Sequence, residues 1–277
     1  MSFRFTILGC GSSAGVPRVA QGWGACDPSN PRNRRRRCAA LIERVGAAGV
    51  TTMLIDAGPD LREQLIDAEV RRVDAVLMTH PHADHTHGID DLRPLYLETR
   101  RRIELYMDEP TSLIVKNAFS YIFETPAGSS YPPIATDVRL SAERVCRIEG
   151  KGGRIETIPF DLNHGEINAL GLRFGSLAYT PDVKRIPEAS RPYLEGLDVW
   201  IVDALRYRPH PSHFSLDDAL AEIAAMRPRR AILTNLHTDL DYETLRKRLP
   251  DHIVPAYDGM RVEDFEASNG GESAYVR

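Results

Sequence analysis

The sequence predicts a compact α/β fold, one domain over residues 1–277. Three observations carry this. Short apolar, strand-like segments alternate along the chain with segments of helical spacing. No stretch repeats with a period of about 20–50 residues. No Pro/Gly/Ser-rich linker is long enough to separate a pair of domains, although the length alone, at about 150 residues per domain, allows two.

The elements follow in order. Residues 2–8 alternate polar and apolar as a strand and run into Gly9-Cys10-Gly11-Ser12-Ser13-Ala14-Gly15. These glycines fit neither G-x-G-x-x-G nor a Walker loop, so they are read as letting backbone pass close to a neighbour or a ligand. Residues 22–38 form a Pro/Asn/Arg-rich loop, and strands follow at 39–43 and 52–56, the latter ending in Asp56-Ala57-Gly58. A helix is expected over 60–68, and a buried strand over 74–79 delivers His80 at its end. Helical spacing recurs at 88–97 and 111–123, on either side of a strand at 103–107, before a loop at 125–133. Strands are predicted at 145–148, 155–162, 172–179, 199–204 and 230–234. Residues 215–226 form an amphipathic helix with Ser215 as N-cap and Asp217 and Asp218 in its first turn. A last helix covers 242–249, and the chain is expected to fray from Ser268.

Composition excludes several classes. With 42% hydrophobic and 27% charged residues, the chain is neither disordered nor a disulfide-held miniprotein. Acids outnumber Lys plus Arg, 39 to 35, for a net charge of -4, which argues against a nucleic-acid binder working by counterion release. Cys10, Cys26, Cys38 and Cys146 form no C-x-x-C pair. No apolar run approaches the ~18–20 residues that cross a bilayer, and the N-terminus has no signal-peptide pattern. The expectation is a cytoplasmic protein without a membrane partner.

The informative segment is Thr79-His80-Pro81-His82-Ala83-Asp84-His85-Thr86-His87-Gly88, which holds four of the nine histidines. Alternate residues of an extended turn point the same way, so His80 and His82 can clasp one ion. Asp84 and His85 come where the chain turns into a helix, facing a second. Two ions about 3.5–4 Å apart can share a bridging hydroxide and clamp a substrate oxyanion. Further ligands must come from turns after later strands, where the candidates are His164, Asp182 and His237.

This set resembles the metallo-β-lactamase superfamily, from the first strand to His237. The resemblance implies an αββα sandwich, two mixed sheets flanked by helices, with a dinuclear site at one edge. It places one ion on His80, His82 and His164 and the other on Asp84, His85 and His237, with Asp182 bridging. Asp84 counts as catalytic as well as ligating, and Asp56, in Leu-Ile-Asp-x-Gly, would orient a ligand imidazole or the loop. Zinc or manganese is the expected metal pair; an iron-loaded redox enzyme is the alternative for such donors.

Local features narrow the chemistry. Leu8-Gly9-Cys10-Gly11-Ser12-Ser13-x-Gly15-Val16-Pro17 and Ser212-His213-Phe214-Ser215-Leu216 resemble the phosphonate-pathway cyclic-phosphate phosphodiesterase branch. That resemblance implies that His213 contacts a phosphate and protonates the leaving alkoxide, with His210 a second candidate. The chain departs from the branch in its cysteines: Cys26 stands nearly alone, and Thr238-Asp239-Leu240-Asp241 supplies no histidine for an extra structural zinc. In the run Arg32–Arg37, Arg34 and Arg35 are candidate phosphate contacts; a solvated loop is the other reading.

The expected function is a dinuclear metal-dependent phosphodiesterase acting on a small, cyclic or nucleotide-like phosphodiester, a metal-bridging hydroxide attacking and His213 serving as general acid. Alternatives on the same scaffold are a thioesterase or lactamase, a tRNA-processing nuclease and a non-catalytic nucleotide binder. Residues 111–123 either pack on the core or offer the face of a homodimer.

Overall fold

The computed structural model describes residues 2–263, 265 and 266; the fraying expected from Ser268 lies outside the described residues. Among these, fourteen strands form two seven-stranded sheets. The first contains β1 (Ser2–Gly9), β2 (Ala39–Gly46), β3 (Gly49–Ile55), β4 (Ala75–Leu77), β5 (Ile103–Met107) and β6 (Ala135–Arg139) in chain order, with β14 (Met260–Val262) beside β1. The second is β13-β12-β11-β10-β9-β8-β7, built from β7 (Cys146–Ile148), β8 (Ile155–His164), β9 (Ile167–Phe174), β10 (Leu177–Thr180), β11 (Val199–Asp203), β12 (Arg230–Thr234) and β13 (Ile253–Pro255).

Each sheet is antiparallel in one half and parallel in the other. β1 to β3 form a meander and β3 to β6 run parallel. β7 to β10 alternate and β10 to β13 run parallel. In consequence β1, β3 and β4 end at one edge of the first sheet, and β8, β10, β11 and β12 end at one edge of the second. The functional side chains hang from those ends.

Period-two burial makes the two inner faces meet. Phe5, Ile7, Ile42, Met53 and Leu77 from one sheet pack against Leu172, Phe174, Tyr179, Ile201 and Ile232 from the other. The alternate residues of the first sheet, among them Leu41, Leu54 and Leu105, bury against α1 (Leu61–Asp67), α4 (Glu109–Ala118) and α5 (Ser120–Phe123). Trp200, Val202 and Leu233 of the second do the same against α6 (Leu216–Met226) and α7 (Tyr242–Arg248). This is the αββα sandwich. Short helix α2 (Ala83–Thr86) lies in the loop after β4, and α3 (Arg93–Thr99) adds Leu95 and Tyr96 to the outer cluster of the first sheet.

Three predicted elements differ. The strand expected over 172–179 is the end of β9, a turn and β10, because Gly175 at φ 57 reverses the chain. The helix over 88–97 is a 3-10 turn followed by α3, with Pro94 in the first turn of the new helix where a missing N–H costs nothing. The helix over 111–123 breaks at Phe119, φ -128, into α4 and α5. The strands β6, β13 and β14 carry no alternating pattern long enough to read. Ser215 caps α6 in a full capping box with Asp218, as its sequence predicts. No helix among the described residues is long and apolar enough to cross a membrane.

Candidate metal centre

The loop after β4 lies in a backbone-tight seat. Gly58, after β3, packs so closely under it that a Cβ there would stand 2.0 Å from the Asp84 carbonyl oxygen, and one on Gly88 would stand 1.9 Å from the carbonyl oxygen of Gly58. Only glycine allows this approach.

Asp56 governs the histidines from that seat. It holds a left-handed φ of 63 at the end of β3 and is fully buried. Its carboxylate accepts the Thr79 N–H at 2.7 Å, the Thr79 hydroxyl at 2.9 Å and the Nδ1–H of His85 at 2.8 Å. Burial raises its pKa against these bonds. With its proton given to Asp56, the Thr79 hydroxyl must accept from His80 Nδ1, 3.0 Å away, so His80 presents a bare Nε2, and His85, its Nδ1–H held by Asp56, turns its Nε2 inward.

His164, the last residue of β8, donates Nδ1–H to the Ser212 carbonyl at 2.7 Å and so also presents Nε2. His82 Nδ1 stands 3.1 Å from His80 Nε2 and 3.2 Å from His164 Nε2. An ion held tetrahedrally by nitrogens at about 2.0–2.1 Å has donors about 3.3 Å apart. These rings therefore fit a cation. Burial, with the neighbouring His85, pushes His80 well below the usual imidazole range, and burial lowers His164, so both are neutral donors.

Asp182, just past β10, joins this cluster to a second. Its Oδ2 lies 3.2 Å from His85 Nε2 and has no hydrogen-bond partner, and its Oδ1 lies 3.9 Å from His164 Nε2 and 3.7 Å from His213 Nδ1. Asp84 Oδ2 stands 3.5 Å from the same His85 nitrogen. Although burial opposes it, Asp182, Asp56 and Asp84 together push His85 well above its ordinary pKa. Burial likewise disfavours the Asp182 carboxylate, yet His85, His80 and His213 hold it well below the usual range. Three carboxylates around one imidazole, one of them with an orphaned buried oxygen, are the environment a divalent cation neutralises. The donors close into three groups, His80/His82/His164, His80/His85/Asp182 and His164/Asp182/His213.

His237 stands outside these three groups. Its Nδ1 faces Thr238 Oγ1 at 3.1 Å and Asp239 Oδ1 at 3.4 Å, which leaves Nε2 as its donor atom. Leu236 N–H bonds the Cys10 carbonyl at 2.8 Å, which ties this loop to the glycine-rich turn after β1. That turn lies close against its neighbour: a Cβ on Gly9 would stand 2.0 Å from the Arg37 carbonyl oxygen.

Arg35 is turned into the protein. Its guanidinium is buried and donates to the carbonyls of Leu240 at 2.7 Å and His237 at 3.2 Å and to Asn33 Oδ1 at 3.2 Å. Where the sequence offers Arg35 as a phosphate contact, the fold buries it, and its two Nη groups tie Asn33 to the loop that carries His237. Arg36 pairs with Asp258 and Asp67, and Arg37 with Asp60. Arg32 lies over Tyr242 and Tyr257. Arg34 is exposed. Replacing Arg35 with Met should cost about 3 kcal/mol, the sum of lost charged hydrogen bonds and orphaned carbonyls, read in a denaturant melt.

His213, between β11 and α6, donates Nδ1–H to Asp203 Oδ2 at 2.8 Å. Burial penalises its charged form, but Asp203 and Asp182 outweigh that and push it up to about 9. His210 faces it at 5.1 Å between ring centroids and is brought down to about 4 by burial and the His213 charge. His87 turns onto Phe119 instead.

Sequence reasoning missed Thr79, Asp203 and the Ser212 carbonyl. Asp203 carries the same signal as Asp56 and Asp182, a carboxylate ending an apolar strand. The other two leave none. Replacing Asp56 with Asn keeps a residue tolerant of positive φ but offers one acceptor oxygen to three donors. Metal affinity should fall about 10–100-fold, measured by titration with a chromophoric chelator.

Residues 51–235 match the model of a Beta-lactamase superfamily domain. The chain belongs to the metallo-β-lactamase superfamily. A solved diphosphatase from the PhnP family shares 35% identity with this metallo-β-lactamase-fold chain, covering 96% of it and 98% of the diphosphatase, with a TM-score of 0.85. Zn2+-bound PqqB from Methylobacterium extorquens has the same fold, at 16% identity and a TM-score of 0.68 over 94% of this chain and 99% of PqqB. A curated octanoyltransferase from Porphyromonas gingivalis is 30% identical over 275 residues, 95% of this chain. The chain spans only about half, 54%, of that relative's length.

Proposed function

We propose that this chain, a metal-dependent hydrolase of the metallo-β-lactamase superfamily, is a phosphodiesterase that cleaves a small phosphodiester at a two-ion centre, with His213 as the general acid. The observation that carries the reading is the His213–Asp203 pair at 2.8 Å beside Asp182. A carbonyl substrate whose leaving group departs as a thiolate needs no such acid. An alkoxide leaving from phosphorus does. The 35% identity to a diphosphatase over nearly the whole chain supports the same class.

His80, His82 and His164 would hold one ion, and Asp84, His85 and His237 the other, with Asp182 shared. When bound, zinc or manganese supplies Lewis acidity and an activated water. The chain's own residues do the rest. Asp56, through Thr79 and directly, fixes which ring nitrogens point inward. The Ser212 carbonyl does this for His164. Asp203 keeps the His213 proton on Nδ1 and steadies the charged ring, so the proton given to the leaving oxygen comes from Nε2. Four buried free thiols support a reducing, cytoplasmic setting.

The test is hydrolysis of bis-p-nitrophenyl phosphate, an octanoyl thioester and a β-lactam by the zinc- and manganese-loaded protein. Phosphodiester turnover well above the other two supports the reading. Turnover confined to the thioester or lactam would discard it.

A further inference from the structure

Two buried carboxylates compete for one imidazole proton. His213 Nδ1 stands 2.8 Å from Asp203 Oδ2 and 3.7 Å from Asp182 Oδ1. Both acids are short of donors. Asp182 Oδ2 and Asp203 Oδ1 are buried and have no hydrogen-bond partner, and Asp203 Oδ2 shares His213 with the Val183 N–H at 3.0 Å. A buried acceptor left without a donor is costly. If Asp182 Oδ1 went short as well, it would draw the imidazole to itself. For His213 to stay on Asp203, another group must satisfy Asp182.

That group is Asn235. It follows β12 with a left-handed φ of 61, which asparagine tolerates better than most side chains, and it is 3% exposed. The backbone is tied on either side, Ala204 N–H donating to the Thr234 carbonyl at 3.0 Å and Leu236 N–H to the Cys10 carbonyl at 2.8 Å. From there the side chain reaches past β11, which lies between β12 and β10, to the turn after β10. Its Nδ2 donates to the Pro181 carbonyl at 3.1 Å and to Asp182 Oδ1 at 3.4 Å. Both amide hydrogens are used, and the two acceptors fix which way the amide faces. The same nitrogen lies 3.1 Å from His213 Nδ1. Because the Nδ1 proton goes to Asp203, that contact is between two donors, and the amide screens the ring from Asp182 instead of bonding it.

We infer that Asn235 is a positioning residue for the general acid: its amide supplies Asp182 with a donor and keeps His213 on Asp203. The inference rests on the phosphodiesterase reading, in which His213 gives up its Nε2 proton. It adds a residue that stands outside the three groups of metal donors. Without the amide, Asp182 Oδ1 would take the Nδ1–H, the ring would swing off Asp203, and Nε2 would leave the line to the departing oxygen.

Asn235→Gly tests it, because glycine keeps the left-handed backbone and removes only the amide. On an alkyl phosphodiester, whose leaving group needs the acid, kcat should fall about 10²-fold, the effect of a misplacement of ~1 Å. On bis-p-nitrophenyl phosphate, whose leaving group needs no proton, the fall should be much smaller. Placed in a His213→Ala background, the substitution should cause no further loss on the alkyl diester, since the two residues act as one unit. Elemental analysis should count as many ions per chain in Asn235→Gly as in the wild type. Equal losses on the two diesters, loss of bound metal, or a loss that adds in full to that of His213→Ala would make Asn235 a structural or metal-side residue and overturn the inference. If His213→Ala splits the two diesters and Asn235→Gly does not, the phosphodiesterase reading stands and only the inference falls. If His213→Ala shows no split, the acid assignment fails and the inference fails with it.

Discussion

Asp182→Ala should lower phosphodiester turnover by about 10³-fold or more, because an ion-centred clamp is worth several kcal/mol of charge stabilisation in the transition state. Both clusters of donors meet at this carboxylate, 3.2 Å from His85 and 3.9 Å from His164. Without it, His85 loses the largest of the charges that favour its protonated form. The variant should retain no more than one ion per chain after dialysis, counted by elemental analysis. Two retained ions with full turnover would refute the site. A pH dependence follows as well. Metal must displace the proton that Asp182, Asp56 and Asp84 hold on His85 well above its ordinary pKa, so metal affinity should climb as pH rises until that proton is lost.

His213→Ala should cost about 10²–10⁴-fold on an alkyl phosphodiester, the contribution of a positioned general acid. On bis-p-nitrophenyl phosphate the loss should be much smaller, because p-nitrophenolate leaves without a proton. That split separates an acid from a packing residue, which would affect both substrates alike. The same group marks stability. Its folded pKa, about 9, lies above the imidazole's ordinary value of about 6.5. Its contribution is therefore fully present below about pH 6.5 and is lost as pH rises through about 9. Chemical melts of the metal-free protein should show this decline, and His213→Asn should flatten it.

Much of this was legible in the residues. Strand alternation placed β1, β5, β8 and β12 within a residue or two, and the buried strand before His80 announced where the centre would lie. What the chain hid has physical reasons. A hairpin turning on Gly175 reads as one strand because both arms are apolar. β6, β13 and β14 are short edge or near-edge pieces whose register comes from their neighbours. The arginine run left a phosphate contact and a solvated loop both open because charge in a sequence carries no partner; for Arg35, Arg36 and Arg37 folding supplied carbonyls, Asp258 with Asp67, and Asp60. The Ser212 carbonyl that orients His164 is backbone, and no residue type advertises it.

The pairing of β1 with β14, Phe5 opposite Val262 and Ile7 opposite Met260, sets a timetable for synthesis. At about 5–20 residues per second, the strand made first waits tens of seconds beside β2 with its other edge bare. Its hydrogen-bonding groups and the side chains of Phe5 and Ile7 are then a ready template for a stray strand. A nascent chain halted before Met260 would keep that edge open. Its expected fate is pairing with another copy or capture by a chaperone.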